Sequence, residues 1–131
     1  MQSESINVRT SKQNELLDIT DRVQHFVSKS HVQSGICFVF VPHTTAGITI
    51  NENADPSVRR DILYELEKVI PEQDNYAHGE GNSAAHIKAS LLGFSVTIFI
   101  ENGHLSLGTW QGIYFAEFDG PRVREVWMRI I

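Results

Sequence analysis

From Phe94 to the C-terminus the chain offers only strand-forming runs separated by tight-turn residues, and that stretch most restricts what it can fold into. Phe94 to Ile100 reads as a strand that turns at Glu101-Asn-Gly-His104. Asn-Gly between two apolar runs is the strongest short hairpin signal, because a type I′ turn needs positive φ at both central residues. The return strand is expected over Leu105 to Phe118 with a bulge at Gly108. Asp119-Gly-Pro121 then turns the chain into a last strand, Arg122 to Ile131.

Ahead of Phe94, strands and helices alternate. Ile6 to Arg9 and Glu15 to Ile19 read as strands joined by a hairpin-like connection, Thr10 to Asn14. Thr20 or Asp21 is placed to cap a helix in which Val23, Phe26 and Val27 recur at helical spacing until about Ser30. Ser34-Gly35 marks the turn into Ile36 to Val41, an apolar run that reads as a strand covered on both faces, and Gly47 to Asn51 is a shorter strand. Asp55 as cap, Pro56 at the first helical position and the stripe Val58, Ile62, Leu66, Val69 and Ile70 define a second helix that stops before Pro71. After a polar loop, Glu72 to Gly81, a third helix begins near Asn82 or Ser83 and closes at Gly93. Six or more strands, two to three helices and tight hairpins in place of regular crossovers predict an α+β fold with a mainly antiparallel sheet.

With 131 residues and no linker or repeat, residues 1–131 are expected to form one domain. A formal net charge of −5 argues against nucleic acid as a partner, since no global basic field draws phosphates in. No apolar run reaches the length of a membrane span, and no membrane association is expected. The first residues lack a secretory pattern and the one cysteine, Cys37, lies in an apolar run, so a cytoplasmic location is expected.

The segment His78-Gly-Glu-Gly-Asn-Ser-Ala-Ala-His86 reads as a site. Gly79 and Gly81 disfavour a continuous helix, so a folded-back loop can bring both imidazoles to one ion or anion. A catalytic zinc takes three protein ligands, and His43, just after a strand and a proline, is the candidate third. Each of these histidines can equally be hydrogen-bonded to a nearby carbonyl. Asn82 and Ser83 are candidate ligands or caps, and Glu80 is a candidate base, a partner orienting a histidine, or a solvated side chain. His86 falls in the first turn of the third helix, where free N–H groups favour an anion. Trp110 and Gln111 suit stacking and hydrogen bonding of an aromatic ring, with core packing as the other reading of Trp110. Arg122 and Arg124 can clamp a phosphate or pair with Glu117 and Asp119. His25, His31 and His104 are expected on the surface.

His43-Thr-Thr-Ala-Gly-Ile48, Asn51-Glu-Asn-Ala-Asp55, Glu80-Gly-Asn-Ser-Ala-Ala-His86 and Leu107-Gly-Thr-Trp-Gln-Gly-Ile113 occur in the order found in the YjbQ family, also called UPF0047, which the chain resembles over nearly its whole length. The resemblance implies a small α+β domain with a folded sheet, assembly into a homotrimer, and a bound divalent metal ion, zinc foremost with magnesium or manganese as alternatives. It implies His43, His78 and His86 as metal ligands; joined to the residue chemistry above, it assigns Glu80, Asn82, Gln111 and Arg122 to catalysis and Trp110 and Ser83 to cofactor or substrate binding. It further implies a transferase with thiamine-phosphate synthase-like activity, joining a pyrimidine methyl diphosphate to a thiazole phosphate with loss of pyrophosphate. Two other readings stand beside it: a metal-dependent hydrolase of a small phosphorylated metabolite, and a non-catalytic trimeric module that binds a metal or metabolite.

Overall fold

The structure is a computed structural model that describes residues 2–131. In chain order the elements are β1 (Gln2–Arg9), β2 (Glu15–Asp18), α1 (Thr20–Ser30), β3 (Ser34–Phe40), β4 (Ala46–Glu52), α2 (Pro56–Val69), α3 (Ser83–Leu92), β5 (Ser95–Glu101), β6 (His104–Leu105), β7 (Gln111–Glu117) and β8 (Val123–Ile130). They form an α+β fold with two sheets, an outer one in the order β1-β8-β3-β5-β6 and an inner one in the order β2-β7-β4, and every strand pair is antiparallel. No helix among the described residues is long and apolar enough to cross a membrane.

The main core lies between the sheets, where Val39, Ile98, Val126 and Met128 of the outer sheet meet Ile48, Ile113 and Phe115 of the inner one and α1 adds Val23, Phe26 and Val27. A second cluster packs Ala85 and Ala89 of α3 and the half-buried Ile62, Leu63 and Leu66 of α2 against Leu16, Tyr114, Ala116 and Phe118. The inner sheet is therefore covered on both faces. Its central strand β7 alternates between the two clusters and is buried from Gly112 to Glu117.

The strand covered on both faces is thus β7, whereas the sequence pointed to Ile36–Val41. In β3 only Cys37 and Val39 are buried; Phe38 and Phe40 project from the open face of the outer sheet, where Phe40 stacks on Trp127 at 5.6 Å. Aromatic side chains on an open face look like core residues to a pattern that counts apolar positions, so the run was uninformative about which face is covered.

The Thr10–Asn14 connection also differs from a hairpin: β1 pairs with β8 and β2 with β7, so the chain changes sheets there. Glu15 accepts the Ser11 N–H at 2.6 Å and fixes this crossing. The expected return strand over 105–118 is likewise split. Asn102 and Gly103 adopt φ 52° and 75° and make the tight turn into β6, but the chain then crosses through 106–110 before β7 begins in the other sheet. At that crossing Gly108 N–H donates to Gln111 Oε1 at 2.8 Å.

Asp55 caps α2 by accepting the Ser57 N–H at 2.9 Å, with Pro56 at the first position as expected. Helix α1 begins at Thr20 without a side-chain cap from its N-cap residue; Asp18 accepts the Thr20 N–H instead, and the Thr20 hydroxyl accepts the Ile113 N–H at 2.8 Å. Helix α3 ends at Gly93, whose φ of 93° suits glycine, and its carbonyl accepts the Ile48 N–H. Gly47 completes this contact: a Cβ there would come within 2.6 Å of the Gly93 carbonyl oxygen. The end of α3 is thereby held against the start of β4.

Candidate functional site

A cleft of about 820 Å³ opens where β3 ends, bounded by the Val41–Thr45 segment, residues 78–82, the first turn of α3 and the Asp119–Arg124 turn. Six of the candidate residues line it: His43, His78, Glu80, Asn82, His86 and Arg122. Ser83, Trp110 and Gln111 do not. Trp110 is 63% exposed in the crossing between β6 and β7, and Gln111 closes the turn with Gly108. The aromatic wall of the cleft comes from Phe40 and Phe94, whose rings meet edge to face at 5.5 Å.

Arg124 is the best-fixed cation in the cleft. Its side chain is 3% exposed, its Nε donates to Glu117 Oε1 at 2.9 Å, and its Nη2 donates to Glu117 Oε2 and to the Thr45 hydroxyl at 2.9 Å. Nη1 bonds no other side chain or carbonyl among the described residues and is not sealed from solvent, so this edge of the guanidinium faces the cleft. Glu117, fully buried, also accepts from the Thr10 hydroxyl and the Asp119 N–H. Burial pushes its carboxyl up, but the bonds from Arg124, Asp119 and Thr10 outweigh burial and hold it below the ordinary carboxylate value. Arg122 pairs with Asp119 at 3.3 Å near the surface. Both arginines thus pair with the acids that the sequence placed near them, and both also reach the cleft.

His43 is a neutral donor. Its Nε2 accepts the Glu125 N–H at 2.9 Å, which leaves the ring proton on Nδ1. Burial lowers its pKa below the ordinary histidine value, and the positive charge of Arg124 adds to that; the charges of Glu117 and Glu125 oppose it without reversing it. His78 and His86 meet edge to face with ring centroids 5.5 Å apart, and His78 Nε2 is 4.0 Å from Glu80 Oε1.

Asn82 occupies the N-cap position of α3 without capping it. Its Nδ2 donates to Asp119 Oδ2 at 3.0 Å, and its Oδ1 is buried with no donor among the described residues. It ties the start of α3 to the turn that carries Arg122. Sequence reasoning offered Arg124 as a phosphate clamp or a partner of the acids, named Asp119 only as one of those acids, and missed Thr45. The alternation of Arg124 with apolar residues along the last strand was the available signal.

The residues do not fit the expected three-imidazole zinc site. His43 commits Nε2 to a backbone N–H, and among the described residues no three His, Cys, Asp or Glu side chains are grouped to hold an ion.

The family model for UPF0047 protein YjbQ-like matches residues 4–131. A UPF0047 protein of Methanocaldococcus jannaschii is 58% identical over 124 residues, covering 95% of this chain and 90% of that protein. The UPF0047 protein YugU of Bacillus subtilis is 48% identical over 128 residues, 97% of each chain. Among solved structures, an uncharacterized conserved protein of this family from Clostridium acetobutylicum superposes with a TM-score of 0.96 at 59% identity, covering 98% of this chain and 99% of that one. A protein from Sulfolobus solfataricus, described as YbjQ-like and of unknown function, gives 0.94 at 37% identity over 98% and 95%. These findings overturn the thiamine-phosphate synthase expectation: the relatives are described without an activity, and the cleft lacks the three-ligand metal cluster on which the mechanism and its hydrolase alternative relied.

Proposed function

Because the chain belongs to the YjbQ-like UPF0047 family, whose name carries no chemistry, we propose its function from the cleft itself: a binding site for a small phosphorylated molecule. The observation that carries this reading is the free edge of Arg124, a buried guanidinium fixed on two sides by Glu117 and Thr45 and open on the third. A guanidinium held in this way gives up little side-chain entropy when it donates to an oxyanion. The His43 Nδ1–H adds a neutral donor on the same cleft.

The His78–His86 pair lines the same cleft with ring centroids 5.5 Å apart, and its ring nitrogens offer further hydrogen-bonding groups to the ligand's oxygens. Phe40, Val41, Pro42 and Phe94 give the body of the ligand an apolar wall.

The expected homotrimer is part of this proposal, supported by the open outer sheet face with Phe38, Phe40, Phe99 and Trp127 exposed. Light scattering on the purified protein tests it, three copies being the expected mass. Cys37, buried and unpaired with its thiol pushed up to about 11 by burial, is consistent with the proposed cytoplasmic location.

Calorimetric titration with inorganic phosphate and with phenyl phosphate tests the site. We expect saturable binding by the unaltered protein and weaker binding in Arg122→Ala and His86→Ala. Unchanged affinity in both variants would remove the cleft as the binding site.

A further inference from the structure

Lys88 is the most deeply buried amine of the fold, 1% exposed, and it lies outside the cleft. An ammonium in that position must be paired to be tolerated. Its Nζ donates to Asn14 Oδ1 at 2.6 Å and to Glu72 Oε1 at 3.0 Å, and it lies 5.3 Å from the centroid of the Phe118 ring. The two acceptors belong to different loops. Glu72 is near the start of the 71–82 connection, and Asn14 ends the 10–14 crossing between β1 and β2.

One of those loops builds a wall of the cleft and the other braces the turn that builds a second wall. The 71–82 connection carries His78, Glu80 and Asn82, and it has no regular structure. Its side-chain bonds to the rest of the fold are Glu72 with Lys88 at one end and Asn82 with Asp119 at the other; Tyr76 with Pro71 is internal. The 10–14 crossing underlies the turn that carries Arg122: the Gly120 N–H donates to the Gln13 carbonyl, and a Cβ on Gly120 would come within 2.4 Å of the Lys12 carbonyl oxygen. The loop of the histidine wall and the loop that braces the arginine wall therefore meet on one amine.

We infer that Lys88 is a positioning residue that fixes the distance between the His78–Glu80–Asn82 wall and the Asp119–Arg122 wall. The inference rests on the reading of the cleft as a phosphate site. Lys88 touches no ligand; it acts by holding two loops whose donors must reach one oxyanion together. Displacing a binding group by about 1 Å costs as much as a hundredfold in a process that needs correct geometry.

The test uses Lys88→Met, which keeps the length of the stem and removes the amine, and Glu72→Gln, which keeps an acceptor and removes the charge. For Lys88→Met we expect inorganic phosphate to bind about tenfold more weakly. Amide exchange should speed up in residues 71–82 and 10–14 while β4, β7 and β8 keep their protection, and the nuclear Overhauser contact between the His78 and His86 rings should weaken. Glu72→Gln should move each readout in the same direction and by less, and it decides the matter if Lys88→Met does not fold. Phosphate affinity and loop exchange both unchanged would overturn the inference, as would exchange that rises uniformly over the fold, the mark of a merely structural residue. Absence of phosphate binding by the unaltered protein would overturn the reading of the cleft instead, and the exchange pattern and ring contact would still judge Lys88.

Discussion

Replacing Arg124 by methionine leaves Glu117 fully buried with only the Thr10 hydroxyl and the Asp119 N–H to support it. Removing one member of a buried ion pair costs about 3–5 kcal/mol, because the remaining charge is neither solvated nor matched. Domains of this size are stable by about 5–15 kcal/mol, so the single variant loses a large part of its margin. In the double variant Glu117→Gln/Arg124→Met no charge is stranded, and the introduced amide keeps acceptor and donor groups in place; we expect it within about 2 kcal/mol of the unaltered protein. Urea unfolding followed by the fluorescence of Trp110 and Trp127 measures all three. The acid limb gives a second reading. The folded Glu117 carboxyl lies below its ordinary value, so its contribution to stability is full above the unfolded value of about 4.3 and is lost as pH falls from there through the folded value. The double variant lacks that loss. A single variant no less stable than the double one would refute the claim that this pair is a charge-matched anchor.

His43 should titrate below the ordinary histidine value, since burial and then Arg124 disfavour its charged form. That stability is present above the unfolded pKa of about 6.5 and is lost as pH falls through the lower folded value. Nitrogen-detected NMR should find its proton on Nδ1 at neutral pH, and a proton on Nε2 would contradict the Glu125 hydrogen bond. Trp110→Ala should leave phosphate affinity unchanged and alter stability by less than about 0.5 kcal/mol, because the ring is exposed and away from the cleft. A weakened affinity would return Trp110 to the site. Gly47→Ala should destabilise by about 1–3 kcal/mol through its clash with the Gly93 carbonyl, measured in the same urea series.

The sequence carried the elements better than their pairing. Asp55-Pro56 and Asn102-Gly103 act through bonds between residues close in the chain, and the structure has those local features where expected, whereas the α2 stripe is covered only in part: Ile62 and Leu66 are half-buried and Val69 is 65% exposed. Which strand lies beside which depends on contacts between residues far apart in the chain, such as Ser5 with Trp127, and no local signal separates a hairpin at Thr10–Asn14 from a change of sheet. The same limit applies to the site. His78, Glu80, Asn82 and His86 are close in sequence and were legible as a group, whereas Arg124 becomes a recognition group only through Glu117 and Thr45, the latter 79 residues away. Trp110 and Gln111 share a motif-like run with no residue of the cleft, and their proximity to an imagined ligand was inferred from residue type alone. No local signal marks Lys88 as buried, because the acceptors that hold its amine lie on two other loops.

The most direct measurement is a crystal of this protein soaked in tungstate, a heavy tetrahedral oxyanion, and read by anomalous scattering. We expect a peak within hydrogen-bond distance of Arg124 Nη1 and on the side of the His43 Nδ1–H, between the arginine wall and the first turn of α3. Peaks confined to exposed arginines elsewhere, with none beside Arg124, would contradict the proposed phosphate site.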